Sequence, residues 1–345
     1  MKKYLSLLLV TLLLQALNVK AQNYDDPGVY VKAINKTQAD FNKAYMSYIS
    51  AAWHSNRAMK IEKLRQQVIE DLTTCRYKLI DIPYYKHDNS LRQSNIDYLW
   101  LMNKVFNDDY SHLVDMEALV DQSFDKMELY LLLQEKINDT LKAATDRMDV
   151  AEKSFATKYN VTLTDDKSQL TQKMELANKV SKYHDKVYLL FFKCEWQESQ
   201  VMDNMGKKNI TKTEQARSAL LKYANDGLAG LDSLASYDND PIIADACRQS
   251  LAFYKKEAET EFTKISDFLL KEEEFTKIKA AYDAKPQNTR TQQDTDAYKK
   301  AEADLNTSFA VANQTFKGII ADRNKVIINW NNAEEKFSNK YMPYY

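Results

Sequence analysis

The scarcity of glycine and proline is the strongest constraint on what this chain can fold into. Its 345 residues include five of each, about 3% together, where average usage gives about 12%. Hairpin turns, β-bulges and phosphate-binding loops depend on the backbone angles that these two residues supply. The composition therefore predicts an all-α protein, an elongated bundle of long antiparallel helices, and argues against sandwiches, barrels and Rossmann sheets.

The charges are numerous and almost exactly balanced. The chain has 48 basic and 49 acidic side chains, a net charge of −1, and 44% of its residues are hydrophobic. This apolar content is enough to form a core. Because a balanced chain produces no strong field, we expect neither nucleic acid nor an anionic membrane surface as a partner.

The first 21 residues have the pattern of a cleaved secretory signal. Lys2 and Lys3 precede a mostly apolar run, and Val19-Lys20-Ala21 provides a cleavage site before Gln22. The alternative is a short membrane anchor, although the run falls short of the ~20 apolar residues that span a bilayer. No Cys for lipid attachment occurs before Cys75. We therefore expect an exported protein in the periplasm, at the cell surface or secreted, without a lipid anchor or a later transmembrane segment.

The three cysteines suggest no disulfide framework. Cys75, Cys194 and Cys247 are odd in number and widely spaced, so at most one bridge can form. Two of them lie on apolar helical stripes, where a thiol behaves as a small hydrophobe. Buried thiols are the favoured interpretation, and a disulfide between two of them is the alternative.

Two pairs of similar segments indicate a duplication. Residues 41–53 align with 184–196 at an offset of 143, which pairs Trp53 with Trp196, and residues 151–159 align with 333–341 at an offset of 182. Apolar residues at helical spacing then predict three helices in each copy. Their stripes run from Phe41 to Leu79, Ile96 to Val120 and Met127 to Tyr159, and from Ala177 to Cys194, Leu251 to Leu269 and Leu305 to Tyr341.

The predicted domains follow from this duplication. After the signal, residues 22–165 form the first three-helix copy and residues 166–345 the second. The increase in offset gives the second copy 39 extra residues, some near Gly206 and the others around Pro286. They predict a longer hairpin with a polar tip at residues 283–296. Packing of both copies as a single domain is the alternative.

Motifs for catalysis are absent from the sequence. It lacks GxSxG, GxxxxGK[ST], GxGxxG, HExxH and the Glu-x-x-His pairs of di-metal bundles. Asp109, His112 and Asp115 share a helical face and could bind zinc, but a solvated polar face is the favoured interpretation. His184 is interpreted as a hydrogen-bonded core residue, and Trp53 and Trp196 as core residues rather than the lining of a ligand site. We therefore predict no catalytic, cofactor-binding or metal-binding residue.

The two repeat ends carry a resemblance to a known group. The segments SFATKYNVTL, from Ser154, and KFSNKYMP, from Lys336, together with the Gln after the signal, resemble uncharacterised bacterial exported or surface-lipoprotein-like helical proteins. The resemblance implies a location in the bacterial envelope. Members of that family carry a lipid-attachment Cys, which this chain lacks.

Together these observations predict a non-enzymatic, exported helical-bundle protein with a binding or structural role and no cofactor. An unknown envelope protein or a glycan is the expected partner, bound by the helix faces or by the 283–296 tip. The alternative function is a metal-dependent enzyme with its site in the bundle core.

Overall fold

The computed structural model describes residues 24–55, 57–109, 124–163 and 168–345. The fold is all-α, as predicted: these residues form helices and, apart from two isolated bridges, no β-structure. The predicted signal lies outside the described residues. No helix in these ranges has an apolar stretch long enough to span a bilayer.

The described helices fall into two compact units. The first contains residues 24–48, 57–109 and 134–163, and the second contains residues 49–55, 124–133 and 169–345. In chain order the first helices are α1 (Pro27–Thr37), α2 (Ala39–His54), α3 (Ala58–Asp81), α4 (Ser90–Lys104), the π-helix π1 (Val105–Asp109) and α5 (Phe124–Tyr159). They are followed by α6 (Gln169–Gly206), α7 (Ile210–Asp232), α8 (Ile242–Lys256), π2 (Glu257–Glu261), α9 (Phe262–Ala284), a 3₁₀ turn (Gln287–Thr289) and α10 (Gln292–Tyr341).

The prediction of three helices per copy is not confirmed. The first predicted helix is divided into α2 and α3, because the segment from His54 to Arg57 has no apolar side chain to continue the buried stripe. In the second unit α7 is a separate helix that the prediction omitted. It follows a turn in which Lys208 has φ of 52° and Asn209 accepts a hydrogen bond from the backbone N–H of Lys212. The predicted second helix of the first copy extends into residues 110–123, which lie outside the described ranges.

Local sequence explains where the helices begin and end. The five prolines all lie at helix ends or in turns, since a proline inside a helix removes a backbone hydrogen bond. Asp26 caps α1 by accepting from the N–H of Val29 at 2.8 Å. At the start of α10, Thr291 and Asp294 each accept from the other's backbone N–H, at 3.1 and 2.9 Å. This capping box helps to initiate a helix of 50 residues, ~75 Å long at 1.5 Å per residue.

A turn with the same contacts occurs in both units. Lys86 and His87 have φ of 46° and 69°, in a two-residue turn closed by hydrogen bonds between Tyr85 and Asp88. Asp88 accepts from Lys158 Nζ at 2.7 Å and from Tyr159 Oη at 3.0 Å. In the second unit Asp238 and Asn239 have φ of 50° and 58°, and Asp240 accepts from Lys340 and Tyr341 at 2.6 and 2.9 Å.

The π-helices also have matching neighbours. Arg65 pairs with Glu62 and donates to the carbonyl of Phe106 in π1. Arg217 pairs with Glu214 and donates to the carbonyl of Ala258 in π2 at 2.7 Å. These equivalent residues are 152 positions apart, and the alignment at 182 relates Lys158 to Lys340.

The first helices of the units match at an offset of 153, not at the predicted 143. Tyr30 packs against Tyr85 and Phe155, with ring centroids 5.2 and 5.6 Å apart. Tyr183, 153 residues later, packs in the same way against Tyr237 and Phe337, at 5.4 and 5.9 Å. An alignment on Trp53 and Trp196 is therefore wrong by ten residues. About 30 residues, rather than 39, distinguish the copies, and they fall between π2 and the end of α10.

These extra residues fall within the hairpin formed by α9 and α10. Its turn spans residues 285–291, inside the predicted 283–296 tip. Lys285 Nζ lies 2.6 Å from Asp294 Oδ1, and the Arg290 guanidinium lies 4.3 Å from the centroid of the Tyr282 ring. A comparison with the first copy's hairpin would require residues 110–123, outside the described part of the chain.

Candidate functional site

Two carboxyl groups are buried in the core of the second unit. Glu198 on α6 is 0% exposed and Glu257, the first residue of π2, is 1% exposed. Tyr254 on α8 is also fully buried, and Arg323 on α10 is near both carboxyls. Charged residues are rarely buried to this extent unless they are paired, so these four residues form the candidate site.

The π-helix places Glu257 at this position. In π2 the N–H of Phe262 bonds to the carbonyl of Glu257, five residues earlier, so this turn is wider than an α-helical turn. Arg217 stabilises the wide turn from α7 by donating to the Ala258 carbonyl. Short π-helices of this kind occur frequently at functional sites.

Neither carboxyl group has the hydrogen-bond donors that a buried acid needs. Arg323 Nε lies 3.0 Å from Glu198 Oε2, an ion pair without hydrogen-bond geometry, and the Arg323 side chain is 30% exposed. Within the described residues, no protein group donates a hydrogen bond to either oxygen of Glu198 or of Glu257. The hydroxyl of Tyr254 has no partner there either. Burying polar groups without hydrogen-bond partners costs free energy. Within the described core, this region contains the most buried polar atoms that lack such a partner.

Burial changes the protonation of both carboxyls. Loss of solvation raises the pKa of Glu257 to about 9, and Glu198 raises it further while Arg323 opposes the shift. Burial also raises the pKa of Glu198 to about 7, against the attraction of Arg323. At neutral pH, Glu257 is therefore a protonated acid that can donate a hydrogen bond, and Glu198 is close to its titration midpoint.

A cavity of about 360 Å³ lies beside Glu257. Its walls come from residues 253–264 on one side and from residues 311–322 of α10 on the other. A Cβ atom added to Gly318 in this wall would have nothing within 4 Å. The volume is in the range of small-molecule sites, ~300–1,000 Å³.

The other charged side chains of the cavity wall already have partners. Lys264 Nζ lies 2.9 Å from Glu261 and Lys256 Nζ lies 3.8 Å from the same carboxylate. Asp322 is 2.9 Å from Lys325. Among the charged residues that line the cavity, Glu257 differs in having no ion pair within 4 Å in the described part of the structure.

The first unit has no such cluster at the equivalent positions. The offsets of 153, 152 and 182 relate Glu198 to Tyr45, Tyr254 to Met102, Glu257 to Val105 and Arg323 to Leu141. Val105 and Met102 are buried, and Tyr45 packs against Phe106 with ring centroids 5.8 Å apart. The same scaffold is therefore built with aromatic and aliphatic side chains where the second unit has charged ones.

The histidines that the sequence singled out are not part of this cluster. His184 Nε2 lies 2.9 Å from Glu334 Oε1, and its ring packs against Trp53 with centroids 4.8 Å apart. Burial alone would lower the pKa of His184, but the hydrogen bonds to Asp185 and Glu334 raise it. This agrees with the interpretation of His184 as a hydrogen-bonded core residue. Of the candidate zinc ligands Asp109, His112 and Asp115, the last two lie outside the described residues.

The remaining candidates take structural positions. Cys75, Cys194 and Cys247 are buried free thiols, as the sequence favoured. Trp53 and Trp196 are half-buried. No group of three or more His, Cys, Asp or Glu side chains in the described ranges is arranged to hold a metal ion.

Sequence reasoning missed all four residues of the cluster. Glu257 follows Lys255 and Lys256 and precedes Glu259 and Glu261, a pattern typical of a solvated helix face. One signal was present, since Glu257 lies between Tyr254 and Ala258 of the apolar stripe. A comparison of the copies would have revealed the replaced apolar residues, but the offset of 143 pairs Glu198 with Ser55 and conceals the difference.

Comparison of the chain with protein-family models, with curated proteins and with solved structures gives no match.

Proposed function

We propose that this chain is an exported helical-bundle protein of the bacterial envelope, and that it binds a small molecule in the cavity of its second unit without catalysing a reaction. The basic and apolar start of the sequence and the resemblance at the repeat ends support export. One observation carries the binding role: Glu257 is buried and unpaired at a cavity, at a position where the first unit has Val105.

The cluster fits binding better than catalysis. A general acid or base must lie within hydrogen-bond reach of the substrate. Glu257 lines the cavity, but Glu198 does not, and its nearest charged neighbour is Arg323. Both carboxyl oxygens of Glu257 are themselves buried, so neither acid presents a proton donor or acceptor to a molecule in the cavity.

A variant that fills the cavity tests this proposal. Gly318→Leu places a side chain where Gly318 has no neighbour within 4 Å, and Leu is a better helix former than Gly by up to about 1 kcal/mol. The variant should therefore fold well and lose its ligand. Ala321→Leu, on the exposed surface of the same helix, is the matched control.

The assay is a thermal-shift screen of a metabolite library against the chain from Gln22 onward. We expect compounds that raise the melting temperature of the parent protein and of Ala321→Leu but not that of Gly318→Leu. Hits that bind Gly318→Leu as well as the parent, or a screen without hits, would argue against a ligand site in this cavity. Mass spectrometry of the protein recovered from the envelope fraction tests export, with Gln22 as the expected first residue.

A further inference from the structure

The cavity wall carries opposite charges in equal number. Apart from Glu257, its charged residues are two lysines, Lys256 and Lys264, and two acids, Glu261 and Asp322. Both lysines pair with the Glu261 carboxylate, and Asp322 pairs with Lys325. Glu257 adds no charge, because burial raises its pKa to about 9 and keeps it protonated at neutral pH. The wall therefore has no net charge to attract a cation or an anion.

The polar side chains of this wall are accessible to a molecule in the cavity, unlike the buried oxygens of Glu257. The four charged side chains are between 19% and 61% exposed. Gln314 is exposed and Thr315 is half-buried, and neither side chain makes a hydrogen bond with the described residues. Phe253 and the open backbone at Gly318 add apolar surface to the same wall.

The register of the facing helices spreads these polar groups along the cavity. Asn329 on α10 donates to Gln249 on α8 at 2.8 Å, and Phe309 on α10 packs against Phe268 on α9 with ring centroids 5.6 Å apart. Because α10 runs antiparallel to the segment that it faces, Asp322 lies towards Lys256 at one end of the cavity. Gln314 lies towards Lys264 at the other end. A ligand in between meets hydrogen-bonding groups at both ends.

We propose that the cavity binds a small uncharged polyhydroxy compound of the monosaccharide class. This inference rests on the proposed function, because it names the class of ligand for the same cavity. A ligand that displaces water from this wall must donate to carboxylates, accept from ammonium groups, and do both for the Gln314 amide and the Thr315 hydroxyl. A hydroxyl group both donates and accepts. A ring with several hydroxyls therefore satisfies the wall at both ends, and its C–H surface covers Phe253 and Gly318.

Charged and apolar ligands fit this wall less well. A cation that pairs with Glu261 displaces a lysine from its ion pair, and an anion that pairs with Lys256 or Lys264 leaves Glu261 without that partner. Either change leaves a charge unpaired beside a ligand that excludes water, which costs free energy. An apolar ligand covers the same charged groups and offers them no donor or acceptor.

Sugars that share one ring and differ in charge separate these classes. The probes are D-glucose, D-galactose and D-mannose, each with its 2-amino form and its uronate, titrated calorimetrically into the full mature chain at pH 6. At this pH the amino sugars are cations and the uronates are anions. At least one neutral hexose should bind, and its charged forms should bind about tenfold more weakly, because they disrupt an ion pair or a charged hydrogen bond.

Variants of α10 locate the bound sugar. Gly318→Leu fills the cavity and should abolish binding. Gln314→Ala should weaken binding about two- to tenfold through the loss of a hydrogen bond. Asn313→Ala removes the neighbouring exposed amide, which does not line the cavity, and should leave the affinity unchanged.

Three results would overturn the inference: no binding of any neutral sugar in the panel, a charged form that binds more tightly than its neutral parent, or sugar binding that persists in Gly318→Leu. If a compound of another class from the thermal-shift screen binds the parent protein and not Gly318→Leu, the inference about a sugar is wrong while the cavity remains a ligand site. Circular dichroism of each variant establishes that a loss of binding is not a loss of fold.

Discussion

Replacing Glu257 with Gln should stabilise the second unit at alkaline pH and flatten its pH dependence. The carboxyl has a pKa of about 9 in the folded protein and about 4.3 in an unfolded chain. Between these values the folded state holds one proton more than the unfolded state. The free energy of unfolding therefore decreases as pH rises, by about 1.4 kcal/mol per unit. This stabilisation is complete below the unfolded pKa and is lost as the pH rises through about 9.

The interval from pH 7 to pH 9 isolates Glu257 from Glu198. Glu198 has a folded pKa of about 7, so most of its contribution is lost below that pH. Over the two units above it, Glu257 alone should remove roughly 2–3 kcal/mol from the free energy of unfolding. Gln has a similar shape and does not titrate, so the variant should lack this loss.

The measurement must follow the second unit separately, since two units need not unfold together. Trp100, exposed on α4, is the one tryptophan of the four that belongs to the first unit. In a Trp100→Phe background, fluorescence during urea unfolding therefore reports on the second unit. Stability at pH 7, 8 and 9 should decrease in this background and in its Glu335→Gln control, and remain nearly constant with Glu257→Gln. Equal decreases in all three proteins would show that Glu257 is not protonated in the folded state.

Three further predictions concern the same unit. Gly318→Ala should raise its free energy of unfolding by about 0.5–1 kcal/mol, because alanine is the better helix former. Gly227→Ala should lower it by up to ~2 kcal/mol, because the new Cβ would lie 2.9 Å from a methyl of Leu251 and this overpacking, at ~1–3 kcal/mol, exceeds the helix-propensity gain of about 1 kcal/mol. Urea unfolding distinguishes the two variants, and effects of the same sign would contradict the packing argument. Burial raises the pKa of Cys194 and Cys247 to about 12, so neither thiol should react with Ellman's reagent at pH 8 until urea is added. Rapid reaction of the native protein would show that these thiols are accessible.

The helix class and the helix ends next to prolines could be predicted from local sequence because both have local causes. The prolines and the apolar spacing mark helix ends and buried faces within a few residues of themselves. The hairpin turn near Pro286 was predicted for the same reason. The break between α2 and α3 was missed because the stripes on its two sides have similar spacing, and the gap from His54 to Arg57 contains polar residues that a solvated helical turn also tolerates.

The candidate site has non-local causes, and this explains why the sequence did not predict it. Glu257 is buried because α6, α7 and α10 pack around a π-turn, and these helices are contributed by residues 169 to 341. The segment around Glu257 has the composition of a solvated surface. The alignment at an offset of 143 rests on two tryptophans and is easy to see in the sequence. The alignment at an offset of 153 rests on single tyrosines, and their common role is clear only from their ring contacts.

Comparing the two units separates the residues that the fold requires from the residues that only the second unit has. Both units keep the aspartate at the turn, the tyrosine that donates a hydrogen bond to it, and the arginine that donates to a carbonyl of the π-helix, so these residues belong to the scaffold. Val105 shows that the π-helix forms without a carboxyl group at its first position. An unpaired buried acid reduces stability, so packing does not explain why Glu257 occupies the equivalent position beside a cavity. The buried acid is therefore a feature that the scaffold does not require, and the Glu257→Gln variant measures what it costs in stability.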